Sequence, residues 1–224
     1  YRVLYSLFIG YFFFCLSRKS FFYVMPFLLD DLSLLKSDIG IISTFFYISY
    51  GISKLVGGVL SYNINCRYFM SYSLIFTGLL NIFFGFFSSV FFFSIVWFLN
   101  GIFQGFCWPS ISKHIVYWSN NYNRSYYWGI CSSACNVSSA FFPILICYIS
   151  QKTSWCYGMF FSGIICVFFG LFLFNRLRDT PLAIGFSDFY IRNFNRKINI
   201  CFYKNERFIF ITKNFFLLSF LKDY

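Results

Sequence analysis

Carboxylates are nearly missing from this chain. Asp and Glu total 7 in 224 residues, none deep within the long apolar runs, and there is 1 histidine. General acid–base catalysis needs titratable groups within hydrogen-bond reach of each other, so this shortage argues against an enzyme. No nucleophile–base constellation or phosphate-cradling loop compensates for it. His114 falls at the end of an apolar segment, where it is expected to be solvated. Cysteine is plentiful at 9, but no C-x-x-C occurs, and the helix-spaced pair Cys131 and Cys135 has no histidine or carboxylate beside it. Neither a metal site nor a disulfide framework fits that pattern, and no cofactor is expected. Charge of both signs amounts to 11%, against about 25% in a soluble domain. That is too little polar surface for a water-facing shell.

What is present is apolar: 59% of the residues are hydrophobic, arranged in six segments at approximately 3–29, 38–61, 67–87, 90–113, 126–150 and 155–176. At 1.5 Å per residue each helix reaches ~30 Å or more, enough to cross a bilayer with some tilt. The first segment does not read as a cleavable signal peptide, because Arg18 and Lys19 interrupt it and no small-residue cleavage site follows. The abundance of Phe (38) and Tyr (18) reads as compositional bias, not as a ligand box. Net charge +11 sits at segment ends and in the last forty or so residues, which points to lipid and away from nucleic acid. With the N-terminus inside, Arg2, Arg67, Lys113, Arg124, Arg176 and Arg178 share one side, and Lys36 and Lys152 lie opposite. The positive-inside bias therefore predicts both termini in the cytoplasm, in the inner membrane of a bacterium or the endoplasmic reticulum of a eukaryote. Residues 1–178 are expected to form the six-helix unit and 179–224 a basic cytoplasmic tail that is not a folded domain.

Three cations break the apolar pattern: Arg18 and Lys19 in the first segment and Lys54 in the second. Each costs about 2.5–3.5 kcal/mol at a helix centre on the insertion scale. Arg18 lies too far from either end of its segment for its side chain to reach the headgroups. Without an intramembrane acid to neutralise them, these cations imply a cavity that receives an anion. A guanidinium offers a planar fork matched to phosphate oxygens, and a lysine adds a point charge. Lys19 points about 100° away from Arg18 around the helix, so one of the two faces the cavity squarely. Tyr50 precedes Lys54 by one turn and Tyr11 precedes Arg18 by two, on the same faces. Gly51, Gly57 and Gly58, with Ser132, Ser133, Ser138 and Ser139, are candidate positions for close helix approach.

Several stretches carry a resemblance. They are Ser17 to Phe21, Val24-Met25-Pro26, Lys36 to Gly40, Tyr50 to Lys54 and Gly58 to Ser61. Trp97 to Gly101, Gln104-Gly105, Trp108-Pro109, Trp128-Gly129, Asn136-Val137 and Arg178 to Pro181 complete the series. In this order they resemble the organophosphate:phosphate antiporters of the major facilitator superfamily across residues 1–186; the stretch after about Ser187 shows no such likeness. The resemblance implies an all-α membrane protein, the six-transmembrane-helix N-terminal half of such a transporter, working with a C-terminal six-helix half. It implies exchange of a phosphate monoester, glucose-6-phosphate or a related sugar phosphate, for inorganic phosphate. Arg18 would bind the phosphate, with Lys54, Tyr11, Tyr50, Lys19, Cys135 and Asn136 around the substrate. Gly51, Gly58, Gln104, Trp108 and Arg67 would serve packing and gating. Cys135 stands where several relatives have histidine, and Tyr62 beside Asn63 replaces a usual acidic residue that latches the halves. That replacement keeps a second reading open, a phosphate-ester sensor that does not transport; a third is a degraded fragment without activity.

Overall fold

The computed structural model describes residues 2–119 and 123–180, without the side chains of residues 62 and 63. The expected tail, 179–224, lies outside the described residues from Pro181 onward, and so does the side chain of Tyr62. Among those described there are seven helices and no strand: α1 (Arg2–Leu32), α2 (Lys36–Asn63), α3 (Cys66–Phe84), α4 (Val90–Gly105), α5 (Cys107–Trp118), α6 (Arg124–Lys152) and α7 (Trp155–Arg176).

The fourth expected segment is the one the structure divides. Pro109 has no amide hydrogen to give the Gly105 carbonyl and its ring crowds that group, so the helix breaks between α4 and α5. Taken together, Val90–Trp118 still forms one candidate span, longer than the expected 90–113. With α1, α2, α6 and α7 this makes five helices long and apolar enough to cross a membrane. The third segment, α3, falls short of that standard because Arg67, Ser71, Ser73, Thr77 and Asn81 dilute its apolar residues. Most of these face inward: Ser71, Thr77 and Asn81 are fully buried against neighbouring helices. At the end of α1, Ser33 takes a left-handed conformation (φ 51°) that turns the chain into α2.

Packing follows the small residues. α2 lies along α4, α3 along α7 and α1 along α6 and α7. A Cβ added at Gly101 would collide with Ser49 Oγ and sit 2.7 Å from the Phe46 carbonyl; one at Gly105 would sit 2.7 Å from Ser53. The G-x-x-x-G spacing of α4 is thus what allows α2 to approach, and the Ser53 hydroxyl donates across the seam to the Ile102 carbonyl. Gly51 and Gly58, expected at packing contacts, instead face open space, with nothing within 4 Å of an added Cβ. Gly57 does pack: a Cβ added there would sit 2.8 Å from the Phe106 ring. Gly101→Val is expected to lower stability by about 2–3 kcal/mol, since the seam has no room to relax, whereas Gly51→Val changes it little. Thermal unfolding of both variants in detergent micelles checks the contrast.

Helix ends meet at one end of the bundle. Arg67 on α3 donates through Nε (2.9 Å) and a terminal nitrogen (2.6 Å) to the Phe174 carbonyl, one of the last of α7. Asp179 accepts from the Cys66 amide at the start of α3 at 2.8 Å, and Lys113 on α5 donates to the Ser61 carbonyl of α2 at 2.6 Å. Cations at helix C-termini and an anion at an N-terminus match the helix dipoles. Arg67 thereby acts as a clasp between helices. His114, expected to be solvated, is instead 1% exposed, because α5 continues past it into the bundle; its Nδ1 faces the Ser110 carbonyl at 2.9 Å.

Candidate functional site

Arg18 lies 16 residues from the start of α1 and 14 from its end (18 − 2 and 32 − 18), or ~24 Å and ~21 Å along the axis. It is half-buried in the face that α1 turns toward α2 and α4. Its Nε donates to Gln104 Oε1 at 2.9 Å, and its guanidinium carbon stands 4.6 Å from the centre of the Tyr50 ring. Lys54, one turn further along α2, brings its ammonium 5.7 Å from the same ring and 6.0 Å from the Trp108 ring. Tyr50 is therefore shared by both cations, and cation–π attraction holds each without cancelling its charge. Trp108, delivered by the break before α5, also touches Tyr11 at 5.2 Å and Trp128 at 5.0 Å. Arg18, Lys54, Tyr50, Tyr11 and Trp108 thus form one cationic and aromatic wall drawn from α1, α2 and α5.

Lys19 belongs to a different seam. Its Nζ donates to Ser139 Oγ on α6, and Ser139 in turn donates to the Cys135 carbonyl at 2.6 Å. Cys15 stands one turn before Lys19 on α1, and Cys135 one turn before Ser139 on α6. Asn136 is exposed on α6. Offset by about 100° around α1, Arg18 faces α4 and Lys19 faces α6.

No acid among the described residues reaches these cations. Asp30 and Asp31 close α1, at least 12 residues (30 − 18) or ~18 Å beyond Arg18. Asp38 opens α2, 16 residues (54 − 38) or ~24 Å before Lys54. Asp179 is spent on the start of α3.

Behind Arg18 lies a polar chain that sequence reasoning missed. Gln104, expected to serve packing or gating, is fully buried and bonds Arg18 directly. Its Nε2 donates to Asn100 Oδ1 at 3.1 Å and to Ser17 Oγ at 3.3 Å. Asn100 Nδ2 donates to Asn81 Oδ1 at 2.8 Å, and Asn81 Nδ2 reaches Ser17 Oγ at 3.0 Å and Ser162 Oγ at 3.3 Å. Asn81, Asn100, Gln104, Ser17 and Ser162 are all fully buried. The signal available in the sequence was the amides themselves, since Asn81 and Asn100 interrupt apolar runs where an unpaired amide is costly.

Comparison with known proteins fits this arrangement. The chain is 46% identical over 184 residues to a probable hexose phosphate transport protein of Chlamydia pneumoniae, covering 82% of this chain and 40% of that one. It is 39% identical to the membrane sensor protein UhpC of Escherichia coli (strain K12), covering 82% of this chain and 42% of the relative. The chain thus spans about 40% of the length of the curated relatives it matches. Among solved structures, a bacterial homolog of the human lysosomal transporter Spinster, inward-facing and occupied, superposes with a TM-score of 0.71 at 16% identity, covering 80% of this chain and 44% of that one. That likeness bears on the fold alone. The profile of the Major Facilitator Superfamily matches residues 7–221, running beyond the stretch where the antiporter resemblance ends. With the family model matched over residues 7–221 and a relative 46% identical across 82% of its length, this chain belongs to the Major Facilitator Superfamily.

Proposed function

We propose that this chain is the arginine-bearing N-terminal wall of a carrier that exchanges a phosphate monoester, glucose-6-phosphate or a related sugar phosphate, for inorganic phosphate. The observation that carries the reading is the Arg18 guanidinium at the middle of α1, held by a neutral amide and an aromatic ring with no carboxylate near it among the described residues. A cation left uncompensated at this depth is unfavourable until a mobile anion arrives, and a phosphate dianion offers oxygens for its donor fork. Lys54 beside it adds a second charge, and Tyr11, Tyr50 and Trp108 supply apolar faces with polar edges against which a sugar ring stacks. The relative named a hexose phosphate transport protein supports the same substrate class. A six-helix C-terminal half would complete the cavity, with the substrate near the midplane between the halves. Gly51 and Gly58, on the open face of α2, are then positions where that half approaches. The excess of Lys and Arg at one set of segment ends supports an orientation with both termini in the cytoplasm.

A second reading, a sensor that binds the ester without moving it, is favoured by one observation, the 39% identity to a membrane sensor protein. The two separate in one experiment. The chain fused to the C-terminal half of the Chlamydia pneumoniae relative is reconstituted in phosphate-loaded liposomes and assayed for glucose-6-phosphate counterflow, beside binding to the chain alone. Saturable counterflow supports the carrier. Binding without counterflow supports the sensor, and neither one would sink both.

A further inference from the structure

We propose that Asn81 and Asn100 are positioning residues, which act through Gln104 to fix the plane of the Arg18 guanidinium; the proposal rests on reading Arg18 as the phosphate ligand. The argument is one of direction. Arg18 has donors and no acceptor, so the Gln104 oxygen must face it and the Gln104 nitrogen must face away. That nitrogen meets Asn100 Oδ1 at 3.1 Å, which turns the Asn100 nitrogen toward Asn81 Oδ1 at 2.8 Å. The Asn81 nitrogen is left pointing at acceptors. Ser20 and Ser162 spend their hydroxyl hydrogens on the Ser17 and Met159 carbonyls, each at 2.9 Å, so their oxygens face Asn81 at 3.5 Å and 3.3 Å. The Ser17 carbonyl adds a further acceptor at 3.4 Å.

Both ends of the relay are therefore pinned, and every amide between them has a single permitted orientation. Each carbonyl oxygen faces the guanidinium side, so the dipoles add along the chain and polarise one another. This solves an electrostatic problem in a dry interior. A carboxylate would hold Arg18 firmly and also neutralise it, in competition with the phosphate. A row of oriented amides fixes Nε and leaves the charge, with the two terminal nitrogens, uncommitted to the relay. The residues come from α1, α3, α4 and α7, so the guanidinium is referenced to the whole bundle and not to its own helix alone.

The test uses the full chain in lipid nanodiscs and two readouts. The first is hydrogen exchange of the Arg18 Nε–H, followed by ¹⁵N NMR and assigned by its disappearance in Arg18→Lys. The second is the affinity for inorganic phosphate. Asn81→Leu is expected to exchange about tenfold faster at that site and to bind phosphate about tenfold more weakly, the size of one buried hydrogen bond. Thr77→Val, which removes an equally buried hydroxyl one turn away on α3 and outside the relay, should move neither. If Asn81→Leu does not fold, Ser162→Ala gives the same two readouts with a smaller change in the same direction. Unchanged Nε–H exchange in the folded variant overturns the proposal, and so does faster exchange with unchanged affinity. If the wild type shows no phosphate binding while Asn81→Leu still accelerates exchange, the relay stands and the phosphate reading falls.

Discussion

Arg18→Ala and Arg18→Lys are both expected to lower affinity for inorganic phosphate by about a hundredfold or more, the loss of two charge-assisted hydrogen bonds in a dry site. The alanine result alone would be weak evidence, since any cation deleted from a cavity changes its field. Lysine is the informative variant. It keeps a positive charge on a stem of similar length, but it has no planar fork and no Nε to engage Gln104. If affinity follows charge, lysine restores it; if affinity follows the fork, lysine fails nearly as badly as alanine. The geometry favours the fork, because the side chain is held at 2.9 Å through Nε, a donor that lysine lacks, while its guanidinium lies 4.6 Å over the Tyr50 ring. Equilibrium binding of radiolabelled phosphate to wild type and the two variants in nanodiscs measures the difference.

Gln104→Glu is expected to act in the opposite direction on stability and on binding. The substitution places a carboxylate oxygen where Gln104 Oε1 now accepts from Arg18 Nε, so a buried ion pair replaces an ion–dipole contact. The guanidinium is then neutralised in place. Phosphate affinity should fall by about a hundredfold, a loss comparable to removing a charged hydrogen-bonding partner. The cost of leaving Arg18 uncompensated at mid-bilayer disappears at the same time, so thermal stability should hold or rise. A merely structural glutamine would behave differently, losing stability as its donation to Asn100 and Ser17 is lost while leaving phosphate affinity near its starting value. Unfolding temperature and phosphate affinity, measured on one preparation, separate the two.

Much of the bundle was legible in the sequence because membrane spans obey few rules. Length, apolarity and charge placement located the helices to within a few residues, and helical geometry alone sent Arg18 and Lys19 toward different neighbours. The wall of Arg18, Lys54, Tyr50 and Tyr11 was legible for the same reason, since spacings of four and seven residues keep side chains on one face. What the sequence left open depends on contacts between distant residues. Glycine in α2 signals that some backbone can come close, but the approaching helix was α4 with its own Gly101 and Gly105, while Gly51 and Gly58 stood open. His114 looked terminal because the fourth segment was expected to stop at 113, yet α5 runs on to Trp118 and carries it inside. Gln104 looked like a packing residue because its partner lies 86 positions away. Asn81 gave its own warning as an amide among Leu and Ile, but nothing local named Asn100 and Ser17 as its partners.

The central claim is that a phosphate group meets the Arg18 guanidinium inside the membrane, and a direct distance tests it. The full chain, with ¹⁵N-labelled arginine, is studied in lipid bilayers with inorganic phosphate by ³¹P–¹⁵N dipolar recoupling, using Arg18→Lys to identify the contribution of that residue. Phosphorus within about 4 Å of the terminal nitrogens, as a forked hydrogen-bonded pair requires, is the predicted result. A saturably bound phosphate whose dipolar signal survives unchanged in Arg18→Lys would contradict the account.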